Sequence, residues 1–567
     1  MAGAVRGAER PQQRAGRTEL RQVRAVNELE DGHFTADEVA QYRRLGLWGE
    51  ESLPDLIDRV CAERPDAMCA ADRNQELSWA QVRERAWRLA GGLSALGIRP
   101  GDRVVVQLHN AVEAVVVYFA LGRLGAVMVP RMTVYRESEI ADAVGATDAR
   151  ALIVPPTFRG FDFADMGVAL LGRCPSLKHV IVAGEAPTGT RALSDLWRAA
   201  CYEGPTPHPD ALHIIVYSSG TTARPKGAAH SFNTYVACAR GLARALRLTS
   251  QDICLMPSPV MHNTGLQGAA VIPAAIGSAT VLQDIWDAET ALELIDRHGV
   301  TFSIGATPFV TMMMAAHDPA RHALSSLRIF ACGGAPVPAL VVSQAERILG
   351  CKLVTVFGQS EFALQTITKL DDPVERVASS DGCAAEGVTV AILDDHCRPV
   401  PSGNEGEICA RGPSMMLGYW RDPTRTAEAL HGGWLHSGDL GRMDDMGYIR
   451  VTGRKKDIII RGGVNISASE VEMLLIEHPA VADVAIVGIP DDRLGEKACA
   501  FVVPATESVP TLEELTQFLR GKKIAAQKLP ERLELRHTLP RTATGKVEKY
   551  RLREELGAVS ADRAASA

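Results

Sequence analysis

The stretch LHIIVYSSGTTARPKG, residues 212–227, joins a short apolar run to a hydroxyl-rich loop that carries Gly220 and Lys226. The apolar run is rich in β-branched residues, which favours a β-strand. The hydroxyls would then emerge at the carboxyl end of that strand, where open α/β sheets bind their ligands. Hydroxyls, a flexible glycine and a cation are typical of phosphate binding, and an ordinary polar turn is the competing interpretation.

The spacing of this loop excludes a Walker P-loop. A Walker loop places glycine before its lysine and Ser or Thr after it, because that hydroxyl holds magnesium. Here Pro225 precedes Lys226 and Gly227 follows it. The loop therefore predicts a different kind of phosphate site.

Composition narrows the class of protein. The chain has 567 residues, of which 46% are hydrophobic and 23% charged, so we expect a globular protein with at least two folding units. Its net charge of -7 is not the excess of positive charge that is typical of nucleic-acid-binding proteins. The 12 cysteines include no C-x-x-C pair, which disfavours a zinc ribbon or a disulfide framework. We expect a reducing, cytoplasmic location.

Two segments bear on targeting. The most apolar stretch, residues 111–130, contains Glu113 and Arg123 and falls short of the roughly 20 apolar residues of a membrane span, so we expect it in the core. Residues 1–24 hold six arginines but no apolar signal region, which indicates a disordered tail over residues 1–30. A mitochondrial presequence is the alternative interpretation of that tail.

Alternation of helix-like and strand-like segments predicts an α/β fold. Apolar residues spaced by threes and fours follow a capping box at Ser78 and Gln81, and two apolar runs flank a helix over about 109–124 in a βαβ pattern. In TGRKKDIIIR, 452–461, a glycine and a block of cations separate two strand-like runs, which indicates a domain boundary. We predict a large multi-layer α/β domain at 31–452, a hinge at 453–457, and a small mobile α+β domain at 458–567.

Seven ordered segments make the pattern specific. They are YSSGTTARPKG (217–227), PVMHNTG (259–265), FGQSE (357–361), GEICARGPSMMLGY (406–419), GWLHSGDLG (433–441), GRKKDIIIRGGVNIS (453–467) and LPRTATGK (539–546). Together they resemble the adenylate-forming superfamily, which includes acyl-CoA synthetases, aryl-acid ligases, nonribosomal adenylation domains and firefly luciferase. The resemblance spans nearly the whole chain and implies the adenylate-forming enzyme fold.

The resemblance implies an ATP and magnesium site. Its phosphate loop would comprise Ser218, Ser219, Gly220, Thr221, Thr222 and Lys226. Glu361 and Thr222 would hold Mg²⁺, which prefers hard oxygen ligands. The remaining AMP contacts would come from Gly334, Ala335, Phe357, Gly358, Asp439, Arg454 and Lys546, with Asp439 and Arg454 on the ribose.

The resemblance also implies catalytic and mobile residues. Lys546 would be the catalytic lysine that clamps the substrate carboxylate and the α-phosphate, helped by Lys226 and by His262 at the carboxylate end. The alternative is that His262 is a core histidine whose ring nitrogens are hydrogen-bonded within the protein and do not contact the substrate. Lys456 would be the hinge residue, and Gly462 and Gly463 would line the pantetheine tunnel.

Two positions depart from the superfamily pattern. Ala223 stands where the phosphate loop usually has glycine, and Ser360 stands where threonine usually precedes the metal carboxylate. Neither change removes a hydroxyl or a charge. We expect activity to survive both, with loop closure altered by Ala223.

The predicted acyl pocket is small and uncharged. Its lining would be Met261, His262, Gly265, Ala331, Cys332 and Gly333. The absence of Arg or Lys from that set disfavours dicarboxylic and amino acids. YRESEI (135–140), FRGFDF (158–163) and GATPF (305–309) look like medium-chain and cyclohexanecarboxylate-CoA ligases, whereas FGQSE and the His262-Asn263 pair look like dihydroxybenzoate-type ligases.

These likenesses predict an acid-thiol ligase that forms an acyl-adenylate and passes the acyl group to CoA. An aryl-acid or acyl AMP ligase that loads the phosphopantetheine of a carrier protein is the alternative. A luciferase-like oxygenase and a non-catalytic acyl-binding relative are further alternatives, although the four residues Lys226, Glu361, Asp439 and Lys546 disfavour a degenerate site. We expect a monomer or homodimer without a membrane span.

Overall fold

The computed structural model describes residues 33–217, 226–334, 337–462, 464–491, 493–505, 509–541 and 547–556. Its strands are β1 Met68–Ala71, β2 Glu76–Ser78, β3 Arg103–Val106, β4 Val127–Pro130, β5 Ala151–Val154, β6 Thr157–Phe158, β7 Phe161–Asp162, β8 His179–Val182, β9 Arg191–Ala192, β10 Leu212–Tyr217, β11 Gly227–Ser231, β12 Ile253–Met256, β13 Ala279–Leu282, β14 Phe302–Gly305, β15 Ile329–Gly333, β16 Lys352–Gln359, β17 Phe362–Ile367, β18 Cys383–Ala384, β19 Thr389–Leu393, β20 Gly406–Arg411, β21 Gly418–Tyr419, β22 Leu430–His431, β23 Trp434–Met443, β24 Ile449–Arg454, β25 Ile458–Arg461, β26 Val464–Ser467, β27 Val481–Asp491, β28 Gly495–Pro504 and β29 Arg532–Leu535.

The α-helices are α1 Ala36–Arg44, α2 Leu53–Glu63, α3 Trp79–Ala95, α4 Val112–Leu124, α5 Glu137–Thr147, α6 Phe163–Arg173, α7 Leu193–Leu196, α8 Phe232–Ala245, α9 Asn263–Leu266, α10 Ile272–Ile276, α11 Ala288–His298, α12 Thr307–Ala316, α13 Ala339–Leu349, α14 Val374–Ser379, α15 Pro423–Ala429, α16 Ala468–Leu475 and α17 Leu512–Gly521. A π-helical turn, Gln267–Val271, joins α9 to α10, and a last helical segment covers 549–556.

Two large sheets dominate the first part of the chain. One has nine strands in the order β18-β17-β16-β15-β14-β12-β13-β1-β2, parallel from β16 to β1 and antiparallel at both edges. The other has eight strands in the order β21-β11-β10-β4-β3-β5-β8-β9, with antiparallel pairing only where β11 joins β10 and β21. Parallel pairing of β3 with β4 across α4 confirms the predicted βαβ unit.

Helix α4 lies at the centre of the largest apolar cluster, together with residues of both sheets such as Val106 and Met256. Twelve of its thirteen residues are buried, so it is apolar on every face rather than amphipathic. This confirms the core position predicted for 111–130. Within the part of the chain that is described, no helix combines the length and apolarity needed to cross a membrane.

Two smaller sheets complete the fold. The third sheet joins β19, β20, β23 and β22, with β24 on β23. The fourth sheet joins β26, β25, β28 and β27, with β29 on β28, and its apolar face packs against α16 and α17. A large α/β domain followed by a smaller α+β domain confirms the predicted fold class.

Local signals account for many element boundaries. Ser78 and Gln81 form the predicted capping box, with the Gln81 amide donating to Ser78 Oγ at 3.3 Å. Thr511 caps α17 in the same way through Glu514. Strand β24 belongs to the third sheet, whereas β25 belongs to the fourth. The boundary at 452 and the hinge at 453–457 remain predictions.

Candidate active site

The predicted phosphate loop follows the end of a strand in the eight-stranded sheet. Strand β10 runs parallel to β4 and antiparallel to β11, and Tyr217 pairs with Gly227 across the base of the loop. Residues 218–225 lie outside the described residues. This applies to Ser218, Ser219, Gly220, Thr221 and Thr222, and also to Ala223.

Three residues that are far apart in sequence meet beside this loop. Lys226 Nζ lies 4.9 Å from the centre of the Tyr419 ring. The Tyr419 hydroxyl donates to Glu361 Oε1 at 2.8 Å. We call Lys226, Glu361 and Tyr419 the phosphate-side cluster. It places one cation and one carboxylate at the edge where the loop begins and ends.

Tyr419 is a contact that sequence reasoning missed. It lies in β21, which pairs with β11 so that Tyr419 is opposite Ala228. The phenol is 5% exposed, and burial together with the Glu361 carboxylate raises its pKa well above the usual value. Tyr419 therefore stays protonated and serves as a donor. Its place as the last residue of GEICARGPSMMLGY was the signal available in the sequence.

The backbone around Glu361 is fixed from two sides. The Met416 amide donates to the Glu361 carbonyl at 2.8 Å, and His230 Nε2 contacts the Ser360 carbonyl at 2.8 Å. Burial lowers the pKa of His230 to about 4, so its neutral ring donates through Nε2. Glu361 is thus a positioned oxygen ligand that fits a hard cation such as Mg²⁺, while Thr222 lies outside the described residues.

Asp439 and Arg454 form a cross-strand pair. They are opposite each other on β23 and β24, and Arg454 Nε donates to Asp439 Oδ1 at 2.8 Å. The Asp439 side chain is 7% exposed and the Arg454 side chain is 39% exposed. The Asp439 amide donates to Ser437 Oγ at 3.0 Å. A fixed carboxylate beside a half-exposed guanidinium can bind vicinal hydroxyls.

The residues predicted beside adenine sit at two strand ends. Phe357 is partly buried and packs against the apolar cluster of Ile392, Ile408 and Ile449 in the third sheet. A Cβ on Gly358 would lie 2.2 Å from the Ala363 carbonyl oxygen, so only glycine fits there. Gly334 has φ +83, which also favours glycine. Ala335 lies outside the described residues.

The structure divides the predicted acyl-pocket residues between two faces of β15. Met261 and Ala331 are buried in the same apolar cluster, at 3% and 0% exposure. Cys332 belongs to another cluster and contacts Thr307 Oγ1 at 3.4 Å through its sulfur. Successive strand side chains alternate between faces, so Ala331 and Cys332 point to opposite sides. Gly333 packs closely against strand β16, since a Cβ there would lie 2.5 Å from the Val356 carbonyl oxygen.

His262 and Gly265 lie at the start of α9. The Thr264 amide donates to His262 Nδ1 at 3.4 Å, which makes His262 the cap of that helix. A Cβ on Gly265 would lie 1.9 Å from the Pro259 carbonyl oxygen. Gly265 therefore allows α9 to approach the preceding turn closely, and this packing role is separate from any contact with an acid.

The predicted hinge residue Lys456 lies in a 3-10 turn, Lys455–Asp457. Burial lowers the pKa of Lys456, and the nearby Arg454 charge lowers it further. Lys455 Nζ contacts Glu407 Oε2 at 3.4 Å, on the third sheet. Asp457 pairs with Arg553 at 2.8 Å, on the helical segment 549–556. The turn is thus tied both to the third sheet and to the end of the chain.

Three further predicted residues lie near the ends of described segments. Gly462 has φ +57, and its amide donates to Leu494 O at 2.7 Å in the β25–β26 turn. Gly463 and Lys546 lie outside the described residues. Val547, the next described residue, forms an isolated antiparallel β-bridge with Arg541.

The fold and the site together define an adenylate-forming enzyme, and comparisons with known proteins agree. The AMP-binding enzyme family matches residues 57–420, and the AMP-binding enzyme C-terminal domain matches residues 470–546. The chain belongs to the AMP-binding enzyme family. These matches support activation of an acid as its adenylate.

Individual relatives cover nearly the whole chain. It is 36% identical to the medium-chain fatty-acid–CoA ligase of Escherichia coli K12, covering 92% of this chain and 94% of that protein. It is 35% identical to the 2,3-dihydroxybenzoate-AMP ligase of Bacillus subtilis 168, covering 92% and 96%. The crystal structure of an anthranilate CoA ligase with anthranoyl-AMP superposes with a TM-score of 0.82 at 28% identity, covering 91% and 98%.

Proposed function

We propose that this enzyme is an AMP-forming acid-thiol ligase that acts on a monocarboxylic acid with an uncharged tail. The acid's carboxylate attacks the α-phosphorus of ATP, which forms acyl-AMP and releases pyrophosphate. The thiolate of CoA then attacks the acyl carbon, which forms the thioester and releases AMP. The thiol proton leaves to solvent.

The observation that carries this proposal is the phosphate-side cluster. An acid anion must approach a polyanionic nucleotide, and Lys226 offers a cation at the base of the predicted loop. Glu361, oriented by Tyr419, would hold Mg²⁺ together with Thr222. Bound Mg²⁺ neutralises phosphate charge.

The other residues divide the remaining work. Asp439 and Arg454 would hold the ribose, and Lys546 would clamp the carboxylate and the α-phosphate. Rotation of 458–567 about 453–457 would then bring Gly462 and Gly463 toward the acceptor thiol. The Lys455–Asp457 turn follows β24 of the third sheet and precedes β25 of the fourth, which supports a joint at this position.

The acid class follows from the pocket and from the relatives. Met261 and Ala331 present a buried apolar face without a cation, which favours medium-chain, alicyclic or aryl acids. The name of the Escherichia coli relative supports a fatty acid and CoA. The name of the Bacillus subtilis relative supports the second candidate, an aryl-acid AMP ligase that serves a carrier protein.

Carboxylate-dependent pyrophosphate release tests the proposal. A panel of medium-chain, alicyclic and aryl acids is assayed with and without CoA, and products are identified by mass. Sustained turnover that requires CoA and yields acyl-CoA supports the ligase. A single burst of acyl-adenylate that CoA does not change favours the carrier-protein acceptor. No release with any acid contradicts the proposal and leaves only the fold in common with the family, as in a non-catalytic relative.

A matched pair of variants tests the phosphate-side cluster. Tyr419→Phe removes the donor to Glu361, and a hydrogen bond to a charged group is worth about 1.5–3 kcal/mol. The kcat/KM for ATP should fall by about 10- to 100-fold, since about 1.4 kcal/mol is tenfold. Tyr448→Phe is the control, because its hydroxyl donates to Asp372 at 2.7 Å and it too is 5% exposed. Equal losses in both variants would count against a role at ATP.

A further inference from the structure

A sulfur and two imidazoles meet at the end of the third sheet. Cys397 lies in the turn between β19 and β20, His431 ends β22, and His436 lies in β23. Their sulfur and ring nitrogens all lie within 4.8 Å of one another. We call these three residues the thiol–imidazole cluster. None of them belongs to the phosphate-side cluster or to the Asp439–Arg454 pair.

Hydrogen bonds fix which nitrogen of each imidazole carries the proton. His436 Nδ1 contacts Glu407 Oε2 at 3.1 Å, and His431 Nδ1 contacts the Glu428 carbonyl at 2.8 Å. A carboxylate and a carbonyl accept, so each Nδ1 carries the proton and each Nε2 keeps its lone pair. His436 Nε2 lies 3.9 Å from Cys397 Sγ. A carboxylate behind a histidine is typical of metal sites, because it fixes the tautomer and the ring orientation.

The supporting carboxylate is itself held in place. Glu407 Oε1 accepts from the Gly438 amide at 3.0 Å, and Lys455 Nζ lies 3.4 Å from Oε2. The Gly438 amide and the Lys455 ammonium therefore hold the two carboxylate oxygens in place behind His436. The Glu407 and His436 side chains are 11% and 9% exposed.

A second sulfur lies on the other side of the His436 ring. Cys409 Sγ is 3.4 Å from His436 Nδ1, the nitrogen that faces Glu407. His436 carries its proton on that nitrogen, so Cys409 is a packing neighbour, and Cys397 is the sulfur that faces the lone pair of Nε2.

The backbone of Cys397 is left-handed. Its φ is +57, a conformation that favours glycine over a residue with a Cβ. A Cβ on Gly432 would lie 3.7 Å from Cys397 Sγ, so the glycine turn after His431 leaves the thiol beside the histidines.

We propose that Cys397, His431 and His436 bind a thiophilic divalent cation of the Zn²⁺ class, with Glu407 behind His436. In a tetrahedral zinc site the S–N separation is about 3.5 Å, from Zn–S of about 2.3 Å and Zn–N of about 2.0 Å. The 3.9 Å between Cys397 Sγ and His436 Nε2 is close to this value. Water would take the fourth position, and the Cys397 thiol loses its proton to solvent on binding.

One side chain has to move. The His431 and His436 rings are stacked, with centres 3.6 Å apart and planes 5° apart, so their lone pairs run parallel. His431 is exposed, so its ring can leave the Glu428 carbonyl and turn about its Cβ–Cγ bond until Nε2 meets the shared ion. Binding would then join the β19–β20 turn to the hairpin whose strand β23 carries Asp439, three residues after His436.

Titration with Co²⁺ as the probe tests the site. The untagged, metal-stripped full-length chain is titrated by absorption without ATP or Mg²⁺. We expect saturation at one equivalent, a thiolate-to-cobalt charge-transfer band, tetrahedral ligand-field bands, and displacement by Zn²⁺. Cys397→Gly should abolish the charge-transfer band, and it should keep the fold because glycine suits φ +57.

Two further variants keep the test sharp. His431→Ala should weaken Co²⁺ binding by at least about tenfold. Cys201→Ser, at an exposed cysteine, should leave the spectrum unchanged. A charge-transfer band that survives in Cys397→Gly, or a wild-type chain that shows no saturable band, would overturn the proposal.

Discussion

Replacing Lys549 by methionine should destabilise the smaller domain. Lys549 Nζ lies 2.7 Å from Glu472 Oε1, and the two side chains are 13% and 18% exposed. The Glu472 carboxylate also accepts from the Ile486 amide at 2.5 Å. Methionine keeps most of the apolar stem but removes the charge. The variant therefore leaves a largely buried carboxylate without its cation.

The expected loss follows from this burial. Removing one partner of a buried ion pair costs about 3–5 kcal/mol, and we expect about 3 kcal/mol because both side chains retain some contact with water. A domain of roughly 100 residues loses about 4 °C or more in unfolding temperature per kcal/mol. The unfolding temperature of the smaller domain should therefore fall by about 12 °C or more.

The pH dependence gives a second signature. Burial raises the pKa of Glu472, and in the wild-type chain Lys549 opposes that shift. Without Lys549 the folded state binds more protons than the unfolded state above the usual pKa of 4.5, so the free energy of unfolding falls as pH rises. The defect should be smaller near about pH 5 than near about pH 8.

Scanning calorimetry of the full chain measures both effects. Lys522→Met is the matched control, because its partner Glu477 is 54% exposed and a surface pair is worth about 0–1 kcal/mol. Adding Glu472→Gln to Lys549→Met should recover part of the loss. Equal small shifts for Lys549→Met and Lys522→Met, or no recovery in the double variant, would refute the reasoning.

Three other outcomes are expected. Lys546→Ala should raise the adenylation barrier by about 2.7–4 kcal/mol with less effect on thioester formation from supplied acyl-AMP, and equal losses in the two half-reactions would contradict its role as a clamp. Lys456→Pro should slow thioester formation far more than pyrophosphate release, and equal slowing would contradict the hinge. Burial lowers the pKa of His213 from 6.5 to about 3, so the unfolded state binds the extra proton in that interval. The free energy of unfolding should then fall by about 1.4 kcal/mol per unit as pH drops below 6.5, and His213→Asn should flatten the decline measured by denaturant titration.

Contacts between segments that are far apart in the chain could not be predicted from the sequence patterns. The phosphate-side cluster requires β21 to pair with β11, and nothing local to Tyr419 indicates that pairing. The same holds for Cys332, which was predicted to line the acyl pocket although β15 turns its side chain to the opposite face from Ala331. Strand alternation could have separated these two residues, but which face meets the acid depends on the neighbouring helices.

The family, the two-domain α/β organisation and many element ends could be predicted from the sequence, because ordered motifs, apolar periodicity and caps such as Ser78 with Gln81 are local signals. Which side chains meet depends on the packing of the folded chain. It placed Tyr419 on Glu361 and brought Cys397 to His431 and His436. Sheet order and side-chain facing set those distances, and both depend on packing between segments far apart in the chain.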